Sequence, residues 1–437
     1  MVDPWVQAKL RQADIWAQAS QVGRTLGIYA ELRGQGVDEP QLWADKALAL
    51  KSTGDEYRAQ KLLAQAAAAE RGVTNPARDL YSQLLAESKS ATSPEAGADF
   101  LAFNDSQGAS IARATAHGGA WIRSAYLGAR LAQSNYVGPN ILGMAAGPLQ
   151  GREGGLDLRL FPWELAEFDA SYTRQQFPGA PVRPEDRYAV SASAQLWPQL
   201  RAAVRDGMGE VLTSAALRVG RRFHTDGAAL VWDPAPGWRA TGDVDLGWFN
   251  DTNQQHTYRL GLERLVWTGV SLGAALLHDN SAHSSPEYYT PQDLREGSGL
   301  ITIRRSFGRR SARTGLHRGD LDIHYAAGYG VDRTRSRFVQ SVQAQFGFKL
   351  LDCLTAKLGG EYSAAPNYIS RQVNAGLSLS FGQGSRLGSL SASGPAQGML
   401  PQRPAPGAEG GKGADHAADP DQPGGFVPAP PVEKDNP

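Results

Sequence analysis

Val373-Asn-Ala-Gly-Leu-Ser-Leu-Ser-Phe381 alternates apolar residues with polar or small ones at every second position. Side chains of a β-strand point to opposite faces in turn, so this segment would have one apolar face and one polar face. In a soluble two-sheet protein the apolar face meets a second sheet. In a membrane barrel the apolar face meets lipid and the polar face lines the interior. The segment therefore predicts a strand of one of these two kinds.

The composition of the chain excludes several classes of protein. The 437 residues are 41% hydrophobic with a formal net charge of +0, and the mean hydropathy is -0.38. No segment approaches the roughly 20 apolar residues of a spanning helix, which excludes an α-helical membrane protein. The balanced charge gives no sign of a nucleic-acid partner. Cys353 is the only cysteine, so an internal disulfide and a cysteine-clustered metal site are excluded.

Residues 1–90 have the periodicity of helices, and their most regular part lies within 40–70. Ala59 and Ala66 would be small where two helices approach, Trp43 and Leu63 would fill the space beside them, and Gly54 would lie in the turn. This spacing resembles the tetratricopeptide repeat. The resemblance implies a helical segment that docks partner proteins.

The match to that repeat is incomplete. Lys46 and Ala47 stand where the repeat usually has Leu and Gly, and its closing Pro is missing. Residues 4–33 resemble a poorer copy, and 76–88 resemble a closing helix. A generic helical hairpin is the alternative, and so few repeats would need support from more repeats or from the next domain.

From 97 to 381, after a short linker at 91–96, the chain becomes a succession of alternating segments separated by turn residues. We count about sixteen segments of a length that suits tilted strands crossing a bilayer. Short turns such as 267–269 are expected to alternate with longer connections such as 279–294 and 308–319. Aromatic residues at segment ends are expected to form girdles at the membrane interface: Phe161, Trp163, Trp197, Trp238, Trp248, Trp267, Tyr288 and Tyr289.

Charged residues recur at every second position within these segments. The interior of a soluble sandwich rarely accepts so many charges, whereas a water-filled lumen does. The sequence therefore predicts a roughly 16-stranded antiparallel transmembrane β-barrel after a short helical segment, and a soluble multi-sheet domain is the alternative. The residues predicted by alternation to line the lumen are Asp157, Arg159, Glu167, Asp169, Arg218, Arg222, Asp243, Asp245, Arg259, Glu263, Asp322, His324, Lys357 and Glu361.

The last alternating segment also has a more specific pattern. Asn374, Gly376, Leu379 and Phe381 resemble the last-strand signal that the assembly machinery of bacterial outer-membrane barrels recognises. The pattern departs from that signal in one respect, because Phe381 normally ends the chain and here a tail follows. Residues 382–437 are rich in Gly, Pro, Ala and Asp without periodicity, which predicts disorder.

Helical repeats followed by an outer-membrane barrel resemble the porins that export bacterial exopolysaccharides of the cellulose and poly-N-acetylglucosamine type. The segment Ser285–Leu294 is similar to an aromatic-aromatic-Ser/Thr-Pro-Gln-Asp stretch of the cellulose-type barrels, with Thr290 where Ser is common. The resemblance implies an outer-membrane barrel with periplasmic helices and a polysaccharide cargo. It also implies periplasmic or inner-membrane synthase and modifying proteins as partners. Phage-adsorption receptors share this architecture, so a surface receptor, an adhesion protein or a structural barrel without transport is the alternative.

The sequence contains no catalytic motif. The histidines are scattered, and neither a metal-ligand spacing nor a phosphate-binding loop is present, so we expect no enzyme activity, no cofactor and no metal site. His324 and Asp322 lie two residues apart on one predicted strand face, which indicates a solvated pair in the lumen more than a catalytic dyad. A lipid-modifying barrel hydrolase is a third class of function, but no Ser and His spacing supports it.

The N-terminal residues Met1–Trp5 lack the basic and apolar regions of an export signal. Either this sequence is a fragment or a processed form of a longer exported protein, or the membrane interpretation is wrong; we favour the fragment.

Overall fold

The computed structural model of the chain describes residues 4–19, 21–37, 39–70, 76–105, 110–138, 148–209, 214–283, 285, 293–307, 319–332, 335–351, 354–365 and 368–381. The C-terminal segment 382–437, for which the sequence predicts disorder, lies outside the described residues.

The N-terminal part of the chain is helical. Its helices are α1 (Pro4–Gln18), α2 (Val22–Gly34), α3 (Pro40–Lys51), α4 (Glu56–Ala69) and α5 (Pro76–Ala91). They pack around a common apolar core that includes Leu26, Leu32, Leu42, Leu50, Leu63 and Tyr81. None of the helices in the described residues is both long enough and apolar enough to cross a bilayer.

The residues that resemble a tetratricopeptide repeat lie on α3 and α4 and in the turn between them. Gly54 adopts a φ of +88°, a left-handed conformation that favours glycine. Ala59, Leu63 and Ala66 are fully buried in the helical core, and Trp43 packs against it. The small side chains of α4 let the neighbouring helices approach closely, as expected for such a hairpin. The assignment to that repeat stays a prediction.

The remaining chain forms a closed barrel of sixteen antiparallel strands, in which each strand pairs with the next and β16 pairs with β1. This confirms the predicted fold class. The strands are β1 (Glu95–Asp105), β2 (Ser110–Ile122), β3 (Ala125–Val137), β4 (Leu149–Leu160), β5 (Ala166–Gln176), β6 (Glu185–Trp197), β7 (Leu200–Gly209), β8 (Phe223–Trp232), β9 (Trp238–Phe249), β10 (Gln254–Trp267), β11 (Val270–Ser281), β12 (Leu294–Phe307), β13 (Gly319–Asp332), β14 (Arg335–Leu351), β15 (Leu354–Ala365) and β16 (Tyr368–Ser380). A short helix, α6 (Ser214–Val219), lies between β7 and β8.

The boundary between the two parts is shorter than the predicted linker 91–96. Helix α5 ends at Ala91 and β1 begins at Glu95, so only residues 92–94 separate them. Glu95 pairs with Ser380, which brings the start of β1 and the end of β16 to the same end of the barrel. We call this the helical end and the opposite one the far end.

The expected alternation of short and long connections does not hold throughout. Phe307 pairs with Gly319, so the connection 308–318 leaves and rejoins the barrel at the helical end, where the short turn between β10 and β11 also lies. The prediction placed the connections after β11 and after β12 at the same end of the barrel, and this is wrong. In an antiparallel barrel successive connections lie at alternate ends, whatever their length.

The helices are attached to the rim of the barrel by polar contacts. The side-chain amide of Gln21 donates to the carbonyl oxygens of Ala235 (3.1 Å) and Trp238 (2.7 Å). Arg24 donates to the carbonyl oxygen of Asp233 at 2.9 Å. These contacts fix the start of α2 on the turn between β8 and β9.

A second attachment joins α3 and α4 to the turn between β4 and β5. Arg58 donates to the carbonyl oxygens of Phe161 (3.2 Å) and Pro162 (3.0 Å). The ammonium of Lys46 lies 2.9 Å from the carboxylate of Glu164. Carbonyl groups of a tight turn have no partner within the sheet, so the helical side chains satisfy acceptors that would otherwise need water.

The helical core contains a buried carboxylate with a consequence for pH dependence. Glu56 is only 7% exposed and accepts a hydrogen bond from the hydroxyl of Ser88 on α5. Burial raises the pKa of Glu56 above its usual value. A raised pKa means that folding favours the protonated carboxyl. Its contribution to stability is therefore present at pH values below the unfolded pKa and is lost as the pH rises through the folded pKa.

We expect Glu56→Gln to raise the unfolding temperature of the helices by a few degrees at pH 8, because the amide accepts the same hydrogen bond without a buried charge. The gain should shrink towards pH 4, where the parent carboxyl is protonated. The measurement is thermal unfolding of the full chain in detergent, followed by circular dichroism at 222 nm. Glu39→Gln, at an exposed position, is the control. An equal shift at both pH values would contradict the explanation.

Candidate functional site

The two faces of the barrel wall differ in composition. Residues directly opposite each other on neighbouring strands lie on the same face, so the strand register assigns each residue to one face. One face carries exposed apolar side chains such as Leu131 (69% exposed) and Leu276 (60%). The other carries polar groups of low exposure such as Asp245 (2%). Since the barrel is closed, the exposed apolar face lies outside and the polar face lines the lumen.

Most residues predicted to line the lumen lie on the inward face. The register places there Asp157, Arg159, Glu167, Asp169, Asp243, Asp245, Arg259, Glu263, Asp322, His324, Lys357 and Glu361. The two remaining candidates do not lie on strands. Arg218 belongs to α6, and Arg222 lies in the connection just before β8. The alternation argument fails for these two because the chain around them is helical or irregular, where a two-residue period has no meaning.

The inward carboxylates of β9 form the centre of one ion-pair cluster. The guanidinium of Arg205 on β7 lies 2.7 Å from Asp243 and 2.5 Å from Asp245. Arg259 on β10 lies 3.3 Å from Asp243 and 3.4 Å from Asp245. Two arginines thus neutralise two carboxylates that neighbour each other on one strand face.

A second cluster surrounds Glu153 on β4, a residue that the alternation argument did not select. Its carboxylate lies 3.2 Å from Arg113 on β2 and 2.9 Å from Arg187 on β6. It also accepts hydrogen bonds from Ser134 and from the amide of Gln175. Arg152 precedes Glu153, and the positions two residues away on either side are Gly151 and Gly155, so no alternation of charge marks it.

A third group continues the ion pairs towards the helical end. Arg159 lies 2.8 Å from Asp169 and 3.3 Å from Glu167, and Arg201 lies 3.4 Å from Glu167. Together with the pair of Arg130 and Asp157 at 3.4 Å, these contacts cover the inward face from β2 to β10. We call this part of the lumen the paired wall. Its charges satisfy each other, which stabilises the wall and leaves few of them for a ligand.

Glycines make room for ion pairs that span an intervening strand. Gly227 on β8 lies between Arg205 on β7 and Asp245 on β9, and a Cβ at this position would lie 2.5 Å from Arg205 Nε and 2.6 Å from Asp245 Oδ1. Gly155 on β4 lies in the same way beside Arg130 on β3 and Thr173 on β5. Inward glycines of this kind allow side chains two strands apart to meet on the concave wall.

The opposite wall contains uncharged polar groups. Gln343 and Gln345 on β14, and Gln372 and Asn374 on β16, all face inward, and Glu361 and Gly359 on β15 lie between them in register. We call the four amides the amide patch. The Asn374 side chain lies over Gly359, towards Gln345. Among the described residues, none of the four amides has a hydrogen-bond partner.

The pair of Asp322 and His324 lies next to this patch, on β13. His324 Nε2 lies 3.1 Å from Asp322, whose carboxylate also lies 3.4 Å from Arg304, and Thr302 contacts the other ring nitrogen at 3.2 Å. The two side chains meet, as the sequence predicts, and they form a polar pair on the lumen wall.

Helix α6, which the sequence analysis did not predict, covers part of the far end of the barrel. Leu217 is fully buried in a cluster with Phe103, Ile111, Tyr136 and Leu149, which are inward residues of β1 to β4. Ala216 packs against Phe249 at the end of β9. Helix α6, which lies in the connection between β7 and β8, therefore contacts β1 to β4, and β5 and β6 separate these strands from β7.

One group on the outer face has the composition of a metal site. Asp206, His224 and Asp226 lie on β7 and β8, and their ligand atoms lie within 4.8 Å of one another. The imidazole of His224 lies 3.5 Å from Asp206 and 3.3 Å from Asp226, and all three side chains are partly exposed to solvent. Sequence reasoning missed the group because its members become neighbours only through pairing of the two strands.

Several aromatic residues predicted for the interfacial girdles are exposed, among them Trp163, Trp197 and Trp267, the last at 70%. Phe161 does not belong to such a girdle. It is only 3% exposed and lies against Trp121 and the turn at Gly54, because the helices cover it. Tyr288 and Tyr289 lie outside the described residues, as does most of the segment 285–294.

The last-strand pattern lies on β16, which closes the barrel against β1. Asn374 and Gly376 face inward, whereas Leu379 lies on the outer face and Phe381 follows the strand with its side chain exposed. Gly376 allows the Asp99 side chain of β1 to lie over the β16 backbone. Recognition of these residues by assembly machinery stays a prediction.

Comparisons with known proteins agree with this geometry at the level of the fold. No family model and no curated relative matches the chain. Among solved structures, it is similar to a protein described as a bacterial polysaccharide outer membrane secretin, with a TM-score of 0.54 and 12% identity over 67% of this chain and 99% of that chain. This is the fold of outer-membrane β-barrels.

More distant matches include OccK7 (OpdD) of Pseudomonas aeruginosa, with a TM-score of 0.36 and 9% identity over 66% of this chain and 98% of that chain. The outer membrane protein opdK from Pseudomonas aeruginosa has a TM-score of 0.37 and 9% identity over the same shares.

We expect Gly227→Ala to destabilise the barrel by about 1–3 kcal/mol, because the new methyl group would push Arg205 away from Asp245 and leave buried charges poorly paired. Thermal loss of the β-sheet signal in circular dichroism, in detergent, measures the effect. Gly242→Ala on β9 is the matched control, since its Cβ would meet only Leu260 at an ordinary 3.7 Å. Equal unfolding temperatures for the two variants would show that the glycine is not needed for the ion pair.

Proposed function

We propose that this protein is an outer-membrane porin that exports an exopolysaccharide through the barrel lumen, with its helices in the periplasm as a docking scaffold. The observation that carries the proposal is a lumen wall rich in polar and charged groups, joined at one mouth to a helical domain.

The apolar outer face supports a location in a membrane. Leu131, Leu156, Leu260 and Leu276 lie on four different strands and are all exposed on the outer face. A patch that encircles a barrel is far larger than the apolar patches of soluble monomers. Lipid satisfies this surface, while the closed sheet satisfies the backbone hydrogen bonds that lipid cannot.

The polar inner face supports passage of a hydrated polymer. A polysaccharide exchanges hydrogen bonds with water for hydrogen bonds with the wall, so its path needs donors and acceptors spread along it. Binding at each position has to be weak, because one tight site would stop movement. No step of this process makes or breaks a covalent bond, so the proposal requires no catalytic residue.

The helices support a role in receiving the polymer. Gln21, Arg24 and Arg58 fix them to the turns of the barrel, so a partner bound to the helices would be held next to the mouth. The partners we propose are a periplasmic or inner-membrane synthase, or proteins that modify the polymer.

A surface receptor for phage or other cells is the second candidate. Connections at the far end are long: β7 ends at Gly209 and β8 begins at Phe223, and β11 ends at Ser281 and β12 begins at Leu294. Long external connections offer a binding surface that transport does not need. Replacement of residues 282–293 should then abolish adsorption and leave secretion unchanged.

The export proposal predicts that deletion of residues 95–380 moves the polymer from the medium to the periplasm. The measurement is polysaccharide in the medium and in the periplasmic fraction, and the full chain supplied from a plasmid should restore secretion. Unchanged secretion in the deletion strain would refute the proposal.

Passage through the lumen itself is tested by a bulky thiol reagent, in a background where Cys353 is replaced by Ser. Ala326→Cys places the thiol on the inward face of β13, and Ala327→Cys places it on the outward face one residue later. Labelling should reduce secretion only in the Ala326→Cys strain. Equal secretion by both labelled strains, with labelling of each verified, would show that the polymer takes another route.

A further inference from the structure

The lumen has two chemically different sides. On the paired wall, from β2 to β10, charged groups are bound to each other, as Arg205 is to Asp243 and Arg187 is to Glu153. On β14 to β16 the residues that face the lumen include the four amides of the patch and the hydroxyls of Ser341 and Ser378. The strands that carry the amide patch lie across the barrel from the middle of the paired wall.

Within the part of the chain that the structure describes, the amides of the patch have no protein partner, in contrast to several other amides. Gln175 is bound to Tyr136 and Glu153, Gln255 is bound to Asp279, and Gln21 is bound to the rim. In contrast, Gln345 and Asn374 are exposed within the lumen, and no hydrogen bond joins them to the described part of the chain. Unpaired amides that face water are available to a ligand without loss of an existing bond.

The spacing of the patch suits an extended ligand. Gln343, Glu361 and Gln372 lie in one register row, and Gln345, Gly359 and Asn374 lie in the next. Neighbouring strands are about 4.8 Å apart, so the backbone positions that carry the two amides of a row are separated by roughly 10 Å, and the rows by about 7 Å. Gly359 has no side chain of its own in the middle of this row, which gives the Asn374 side chain room to lie over it.

Helix α6 and the N-terminal helices each cover part of one end of the barrel. Helix α6 packs on the far ends of β1 to β4 and β9 through Leu217 and Ala216. The helical domain is fixed at the helical end to the turns that join β4 to β5 and β8 to β9. Both attachments fall on β1 to β9; of these strands only β1 borders β16, where Phe103 pairs with Gln372, and neither attachment falls on β14 or β15.

We propose that the polymer moves along β14 to β16, off the barrel axis, and that the amide patch is its contact site for an uncharged polyhydroxyl chain. This inference rests on the export function proposed above. Each amide donates and accepts, so it matches a sugar hydroxyl in either orientation. An anionic chain would need free cations, and on the paired wall the arginines are already bound to carboxylates. Glu361 lies between the amides Gln343 and Gln372 and disfavours an anion there, while the cation of Lys357 lies one register row beyond Gly359, outside the two amide rows.

The test uses the full chain in planar lipid bilayers, with sugar added to one side and interruptions of the ion current recorded. The probes are cellohexaose, which is uncharged, and a hexamer of galacturonate, which is anionic. We expect cellohexaose to interrupt the current more often and for longer than the anionic hexamer does.

The variant that removes the patch is Gln343→Ala/Gln345→Ala/Gln372→Ala/Asn374→Ala, and we expect it to shorten the cellohexaose interruptions by about tenfold. Gln345→Ala alone, at an exposed position, should give a smaller change in the same direction and is the second variant if the fourfold one does not fold. Ser171→Ala/Ser191→Ala removes inward hydroxyls from the paired wall, and Gln340→Ala removes an outward amide from β14. Both controls should behave as the parent does.

The outcomes separate this inference from the function on which it rests. If cellohexaose interrupts the parent current and the patch variants behave as the controls do, the path lies elsewhere and the inference is overturned while export stands. If the galacturonate hexamer interrupts the current more strongly, the preference for an uncharged chain is overturned. If neither sugar interrupts the current of the parent, the export function and this inference both fail.

Discussion

Closure of the sheet between β1 and β16 is the constraint on which the rest of the structure depends. A backbone that crosses lipid has no water to satisfy its amide and carbonyl groups, and an open edge strand would leave a row of them unpaired. Pairing from Glu95 with Ser380 to Asp105 with Ser370 removes that edge. Once the ring is closed, the register assigns each strand side chain either to lipid or to the lumen. A shift by one residue would place Leu377 in the lumen and Asn374 in lipid.

A closed wall also determines how its charges are accommodated. On the concave face, side chains from strands two apart reach each other when the residue between them is small. Arg205 and Asp245 meet over Gly227 in this way. Each pair offsets the cost of removing its charges from bulk water only if the hydrogen bonds are well formed. Inward glycines therefore make room for the ion pairs between arginines and carboxylates. This explains why charged residues and glycines recur together along these strands.

A two-residue period predicts which face a side chain occupies but not which side chain lies beside it. That is why the alternation of Asp243 and Asp245 with apolar neighbours was sufficient to place them inside, and the barrel itself followed from many such segments. The period could not show that Glu153 joins strands β2 and β6, since this depends on the register of four strand pairs. It failed for Arg218 because α6 has no alternation to read, and its short helix is held by tertiary contacts of Leu217 with distant strands. Nor could it distinguish a bound amide such as Gln175 from a free one such as Gln345.

If the barrel exports a polymer as proposed, the division of the lumen into a paired wall and an amide patch resolves two opposing requirements of that function. A barrel of sixteen strands needs strong internal contacts to keep its shape, yet a moving chain needs a surface that binds it weakly. Charges that are already paired supply rigidity, but they resist rearrangement around a ligand because breaking one pair leaves an unsatisfied charge. Amides exchange one water partner for one sugar hydroxyl at little net cost, so the chain can advance from one to the next. Placing the two kinds of group on different strands lets each perform its role without weakening the other.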